Sequence, residues 1–153
     1  KLLQDGVDAD SITVMMQKEI ADRIEAAPGS RDCGAITVAV QYYAQVSRIA
    51  RVPKEAFYPR PKVDSAVLHL RIREEKAVSV RDEELFFACV RAGFGQRRKN
   101  LSNALSAGFG RTKDEIRTAL SAAGIRESRR AETLSMDEFA AIANEMAEMI
   151  HGR

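Results

Sequence analysis

The sequence predicts an α/β segment up to about residue 75, followed by a small all-α domain. Three observations carry that division. Runs of strand length fall at 12–19, 45–52 and 64–73. After about residue 75 the apolar spacing changes from 2 to 3.6. Two capping boxes, Thr112 to Glu115 and Ser135 to Glu138, then mark helix starts. The expected domains are therefore 1–75 and 76–153.

The run ITVMMQKE (12–19) begins continuously apolar, as strands do when buried on both faces of a parallel sheet. A short helix follows, with Ile20 and Ile24 at i,i+4, and Pro28-Gly29-Ser30 stops it. GAITVAVQYYA (34–44) sets Ile36, Val40 and Tyr43 at helical spacing, while its β-branched content leaves a strand open. QVSRIARV (45–52) reads as a second strand. DSAVLHLRIR (64–73) is the clearest strand: Ala66, Leu68, Leu70 and Ile72 share one face, and Val67, His69, Arg71 and Arg73 the other. His69 is expected as a surface histidine rather than a ligand.

In the second part, DEELFFACVRAGF carries its acids in the first turn of a helix, with Phe86 and Val90 on one face. RRKNLSNALS offers Leu101 and Leu105. TKDEIRTALSAAG opens with a capping box and ends at Gly124. SMDEFAAIANEMAEMI opens with the other and buries Phe139, Ile142, Ala143, Met146 and Ile150. AGFG occurs at 92–95 and 107–110; both copies read as helix terminators, because their flanks differ too much for a repeat. Three strands make a thin sheet, and the first reads as an interior strand. The α/β segment looks like the end of a larger fold.

The 153 residues are 45% hydrophobic, enough for one domain or two small ones. No apolar run approaches the roughly 20 residues of a membrane span. The start, KLLQDGVDAD, is polar and acidic, unlike a signal peptide, and it lacks Met. Cys33 and Cys89 are far apart and form no CxxC, so reduced thiols and a cytoplasmic location are expected. The net charge of +2 hides segregation. Residues 1–43 carry 4 basic and 7 acidic side chains, residues 44–113 carry 15 and 7, and residues 114–153 carry 5 and 8. A basic middle between acidic ends is either a surface for a polyanion or a solvated cationic face.

Several site classes have no signature here. There is no GxGxxG or GxxxxGK[ST] loop, and the GxG at Gly93–Gly95 follows a helix where a nucleotide fingerprint follows a strand. HExxH, GxSxG and zinc-type Cys/His spacings are missing too, so no metal is expected. Two clusters remain. In FYPRPKVDSAV (57–67), Pro59 and Pro61 restrict their own backbone and that of Tyr58 and Arg60. Such a loop can present Phe57 to an unstacked base beside cations. On composition alone it is equally a proline-rich connector anchored by Phe57; a PxxP ligand fits less well, because a strand follows at once. In GFGQRRKN (93–100), Arg97, Arg98 and Lys99 fall in the first turn of an expected helix, where cations oppose the dipole. A polyanion partner would account for that; solvated surface is the alternative.

These segments resemble the bacterial 16S rRNA adenine N6,N6-dimethyltransferase family, related to the erythromycin-resistance rRNA methylases and the eukaryotic Dim-type enzymes. The resemblance rests on VMMQKEIADRI, ITVAVQYYAQV, VPKEAFYPRPKVDSAVLHL, FGQRRKNLSNAL and RAETLSMDEF, in family order over nearly the whole chain. Cys33 departs from an aromatic usual before the Gly, and Lys54 from a common second Pro. The resemblance implies the C-terminal part of a Rossmann-like S-adenosylmethionine-dependent methyltransferase sheet, then a helical rRNA-binding domain. The family's glycine-rich cofactor loop and its Asn-Leu-Pro-Tyr type signature are missing from this sequence. No catalytic or cofactor-binding residue is therefore expected in it, no S-adenosyl-L-methionine is expected to bind it, and the chain alone should be inactive.

The implied reaction of the full-length enzyme is base flipping, then dimethylation of two adjacent adenines near the 3′ end of small-subunit rRNA, with the 30S subunit as partner. The resemblance implies that Phe57 packs on the flipped base, that Pro59 and Pro61 shape the loop, and that Lys62 contacts RNA backbone. Arg97, Arg98 and Lys99, with Arg48, Arg51, Lys54 and Arg60, are the expected RNA-binding cations. Neither a metal nor a membrane is implied. Self-association through the first strand's edge is expected of the chain alone. Two other readings stay open: a non-catalytic RNA-binding or ribosome-assembly module, and a helix-turn-helix DNA binder built from 82–123.

Overall fold

The structure is a computed structural model and describes residues 1–152. Its chain falls into two compact units, one of Lys1–Ala27 with Asp32–Ala77, the other of Pro28–Arg31 with the chain from Val78 onward. The first unit holds β1 (Ser11–Gln17), α1 (Lys18–Glu25), α2 (Ala35–Tyr43), β2 (Ala44–Val52) and β3 (Ser65–Ile72). The second holds α3 (Glu83–Gly95), α4 (Leu101–Phe109), α5 (Lys113–Ala122) and α6 (Met136–His151).

The sheet order is β1-β3-β2, and both pairings are antiparallel. Opposite residues include Val14 and Leu68, and Val46 and Leu70. Alternation along β3 works as the sequence predicts: Ala66, Leu68 and Leu70 are buried and join Ala21, Ile24 and Ala44 in the core, with Ile12, Val14, Met16 and Ile72 packed around them. The first strand corrects its expectation. β1 is not buried on both faces in a parallel sheet; its burial alternates, and Met15 is 52% exposed. Among the described residues no strand pairs with its outer edge. The Ile72 amide donates to the Asp10 carbonyl (2.9 Å), and the Lys18 amide to that of Asp64 (2.9 Å). Backbone groups of even-numbered residues thus face β3, and those of Ser11, Thr13, Met15 and Gln17 face outward.

Two helix faces differ from the periodicity. In α1, Ala21 and Ile24 are buried while Ile20 is 41% exposed. The open segment at 34–44 is helical, but α2 buries Thr37, Val38, Tyr42 and Tyr43 and leaves Ile36 40% exposed. This helix is apolar nearly all round, so spacing alone selects no face. Thr37 sets it: Oγ1 accepts from the Gly34 amide (2.9 Å) and donates to the Arg23 carbonyl (2.6 Å).

The helical unit is built on its caps. Asp82, Asn100, Thr112 and Ser135 each accept a backbone N–H at the start of α3, α4, α5 and α6, and the last two complete both predicted capping boxes. Phe86, Val90, Leu101, Leu105, Ile116, Leu120, Phe139, Ile142 and Met146 form its buried interior; Ile150 is only part-buried. The second AGFG ends α4 as expected, with Gly110 at φ +62°. The first also falls at a helix end, since α3 stops at Gly95, but without a left-handed glycine: residues 92–95 are the helix's own last turn. Gly93 is buried there, and a Cβ on it would lie 3.4 Å from Ala131 Cβ and 3.5 Å from Phe139. Gly108 brings α4 against α3; a Cβ there would lie 2.4 Å from Ala92 Cβ.

Candidate nucleic-acid interface

The proline loop joins β2 to β3. Pro53 caps a 3-10 turn, Lys54–Ala56, and Phe57 closes it. Asp64 ties the two ends of the loop together. Its Oδ1 accepts the Lys54 amide (2.9 Å), its Oδ2 the Arg51 guanidinium (2.6 Å), and its carbonyl the Lys18 amide (2.9 Å). The Arg51 hydrogen bond, then that of the Lys54 amide, holds the Asp64 carboxyl below the usual carboxylate range. The Tyr58–Pro59 peptide is cis. Phe57 is half-buried, and Tyr58 beside it is fully exposed. Pro59, Arg60, Pro61 and Lys62 are exposed, and neither cation forms an ion pair among the described residues. An open surface pocket of about 360 Å³ is lined by Lys18, Glu19 and Asp22 of α1 and by Lys54, Lys62, Val63 and Asp64 of the loop.

The structure separates the predicted cations of this unit. Arg48 bonds Asp22 (2.7 Å) and Glu25 (2.6 Å), and Arg51 bonds Asp64. Lys18 also holds Asp22 (2.8 Å); its hydrogen bond, then that of Arg48, lowers the Asp22 carboxyl. Arg48 and Arg51 thus already have carboxylate partners, while Arg60 and Lys62 stand open. The carboxylates that engage Arg48 lie 26 and 23 residues away in sequence, so no local pattern announces them.

The RRK triplet lies elsewhere than expected. It is not in the first turn of a helix. Asn100 caps α4, its Oδ1 accepting the Asn103 amide (3.1 Å) and the Ser102 hydroxyl (3.0 Å), so α4 starts only at Leu101. Arg97, Arg98 and Lys99 occupy the α3–α4 turn, closed by the Lys99 amide on the Gln96 carbonyl (2.9 Å). All three are exposed, and among the described residues their side chains form no hydrogen bond or ion pair. Tyr58, the most exposed aromatic of the loop, was not singled out by sequence reasoning, although it sits beside Phe57 in the same motif.

Other predicted features are plain. Cys33 and Cys89 are buried thiols, and burial pushes Cys89 up to about 12. His69 lies part-exposed on β3, its Nδ1 3.2 Å from the Thr13 hydroxyl. No group of residues that could hold a metal occurs among those described, and no helix is long and apolar enough to cross a membrane.

A three-stranded antiparallel sheet with helices, followed by a helical unit carrying an exposed cationic turn, defines the class: an α/β unit joined to an all-α unit. The family description "Ribosomal RNA adenine dimethylase" matches residues 1–148, and the chain belongs to that family. Relatives include "Ribosomal RNA small subunit methyltransferase A" of Anoxybacillus flavithermus, 49% identical over 95% of this chain and 50% of the relative. The protein of the same description from Clostridioides difficile is 46% identical over 94% and 50%. The chain thus spans about half the length of the curated relatives it matches. A solved dimethyladenosine transferase from Plasmodium falciparum shares the fold, with a TM-score of 0.78 at 19% identity over 97% of this chain and 61% of that one.

This family's methyl donor, S-adenosylmethionine, does not fit the residues of this chain. β1 passes into α1 through Gln17 with no intervening loop. Among the described residues no strand leads through a glycine turn into a helix, so no backbone cradle approaches a ligand there.

Proposed function

We propose that this chain is the RNA-facing portion of an rRNA adenine N6,N6-dimethyltransferase that modifies two adjacent adenines near the 3′ end of small-subunit rRNA. The observation that carries the reading is the exposed, unpaired Arg97–Arg98–Lys99 turn in a member of this family. Phosphate contacts of that kind position an RNA without reading its sequence. Residues 1–77 supply the proline loop. Extrusion takes the target adenine out of its stack, and Phe57 packs on the freed face. Pro59 and Pro61 hold the loop's shape, while Arg60 and Lys62 meet the backbone beside the extruded nucleotide. Arg48 and Arg51 keep a structural part, through their carboxylates, in fixing the strand and the loop. The cofactor site and the groups that hold the target amine belong to the half of the family's length that this chain does not span.

The test is a binding competition. A labelled hairpin transcribed from the 3′ end of small-subunit rRNA is displaced from the chain by unlabelled RNA or by duplex DNA. RNA should compete the better. Preference for duplex DNA would sink the reading in favour of a helix-turn-helix DNA binder.

A further inference from the structure

We propose that the groove between α3 and α4 seats one ribose–phosphate strand of a structured RNA, with Arg91 as a phosphate contact beyond the Arg97–Lys99 turn. The inference rests on the RNA reading above and extends its site to a groove and to a residue outside the turn.

Three observations meet at this groove. First, from Leu85 to Lys113 the sequence has six basic residues and no acidic one. Of these, only Arg111 is ion-paired among the described residues, with Glu115. An approaching polyanion meets no carboxylate of this segment. Second, the close crossing at Ala92 and Gly108 leaves beside it an open groove of about 460 Å³. Apart from Arg91 and Gln96, every residue lining it is Ala or Gly. Its walls therefore end at Cβ or at bare backbone, and a narrow strand can approach the helices closely. Third, Arg91 is exposed and makes no ion pair among the described residues. It stands one helical turn before Gly95, so both lie on the groove side of α3, and Gln96 continues the wall into the cationic turn.

The same chemistry argues against other occupants. A partner helix would need large apolar side chains to pack against, and the groove has none, so little apolar area would be buried. A membrane surface would need exposed Leu, Phe or Trp beside the cations. A thin, flexible polyanion needs only room and positive charge.

The test titrates the rRNA hairpin into wild type, Ala107→Leu, Arg91→Gln, Arg91→Lys and the triple variant Arg97→Ala/Arg98→Ala/Lys99→Ala, at several salt concentrations. Circular dichroism melting follows the fold. Ala107 is exposed and lines the groove, so Leu fills the groove without changing charge. Ala107→Leu should weaken binding about tenfold, comparable to one charge-assisted hydrogen bond lost. Arg91→Gln should lower the slope of log K against log salt by about 0.7–0.9, and Arg91→Lys should restore it. If the triple variant loses slope while Ala107→Leu and Arg91→Gln bind like wild type, the groove is not the seat and the RNA reading stands. Should the triple variant also match wild type, both fail. If Ala107→Leu melts early, Arg91→Gln decides alone, because its side chain is exposed.

Discussion

Phe57 and Tyr58 are adjacent rings with opposite exposure, which makes the stacking role separable. Phe57 is half-buried and has its backbone fixed at the end of a 3-10 turn, so little entropy remains for it to lose on stacking. In the full-length enzyme, Phe57→Ala should cost roughly 1–3 kcal/mol of stacking and slow methylation more than it weakens RNA binding. Tyr58→Ala is the control. Unchanged turnover in Phe57→Ala, with the loss appearing in Tyr58→Ala, would move the role to the neighbouring ring. The cationic turn is tested by charge. Changing Arg97, Arg98 and Lys99 to Ala should reduce the salt slope of RNA binding by up to roughly 2–3 and leave the choice of adenine unaltered. Because all three side chains are exposed, the melting temperature should hold. Equal slopes would make the triplet ordinary solvated surface.

Elements are where the sequence was most and least legible. β3 was readable because one face meets the helices and the other does not, and an alternating pattern has one interpretation. The capping boxes were readable because their chemistry is local. The α2 face was not, since apolar residues surround that helix and Thr37 decides. The start of α4 is signalled in the sequence by Asn100, a preferred N-cap residue directly before Leu101, and that signal competes with the helical spacing that would begin the helix at the RRK triplet. The Asn100 side chain accepts the Asn103 amide and starts the helix later. Nor could the crossing of α3 and α4 be read, because a glycine that admits another helix looks like one that ends its own. Gly108→Ala tests that crossing. Its Cβ would collide with Ala92, and overpacking of this kind costs roughly 1–3 kcal/mol in urea unfolding. Wild-type stability in that variant would mean that the helices separate freely. The α6 start carries a pH dependence. The Arg129 hydrogen bond, then the Ser135 amide, holds the Glu138 carboxyl below its usual value. A depressed folded value means that the stabilisation is fully present above the unfolded value of about 4.3 and is lost as pH falls through the folded one. Between neutral pH and pH 3, wild type should therefore lose more melting temperature than Glu138→Gln. Parallel losses would show that the pair contributes nothing; solvent screening at this half-exposed site keeps the expected difference small.

At the scale of the whole molecule, the proposed RNA-facing surface belongs to a chain in which, among the described residues, no strand leads through a glycine turn into a helix. Calorimetry should find no micromolar binding of S-adenosylmethionine to it, and RNA incubated with both should gain no methyl groups; a measurable binding isotherm would overturn this. The outer edge of β1 has a further consequence. Ser11–Gln17 contains no charge and no proline, the usual guards of an exposed edge. Read antiparallel against itself about Val14, the strand is self-complementary. Thr13 faces the second copy's Met15, Ser11 faces Gln17, and at each end Asp10 faces Lys18. Sedimentation should show a dimer that Thr13→Pro dissolves, since Thr13 directs its N–H outward and proline removes that donor without breaking the bond to β3. Association of this kind makes stability a function of how much protein is in the tube. A melting temperature measured on this chain should then rise with concentration and become constant only in the Thr13→Pro variant; a midpoint independent of concentration in the wild type would mean that the edge stays unpaired.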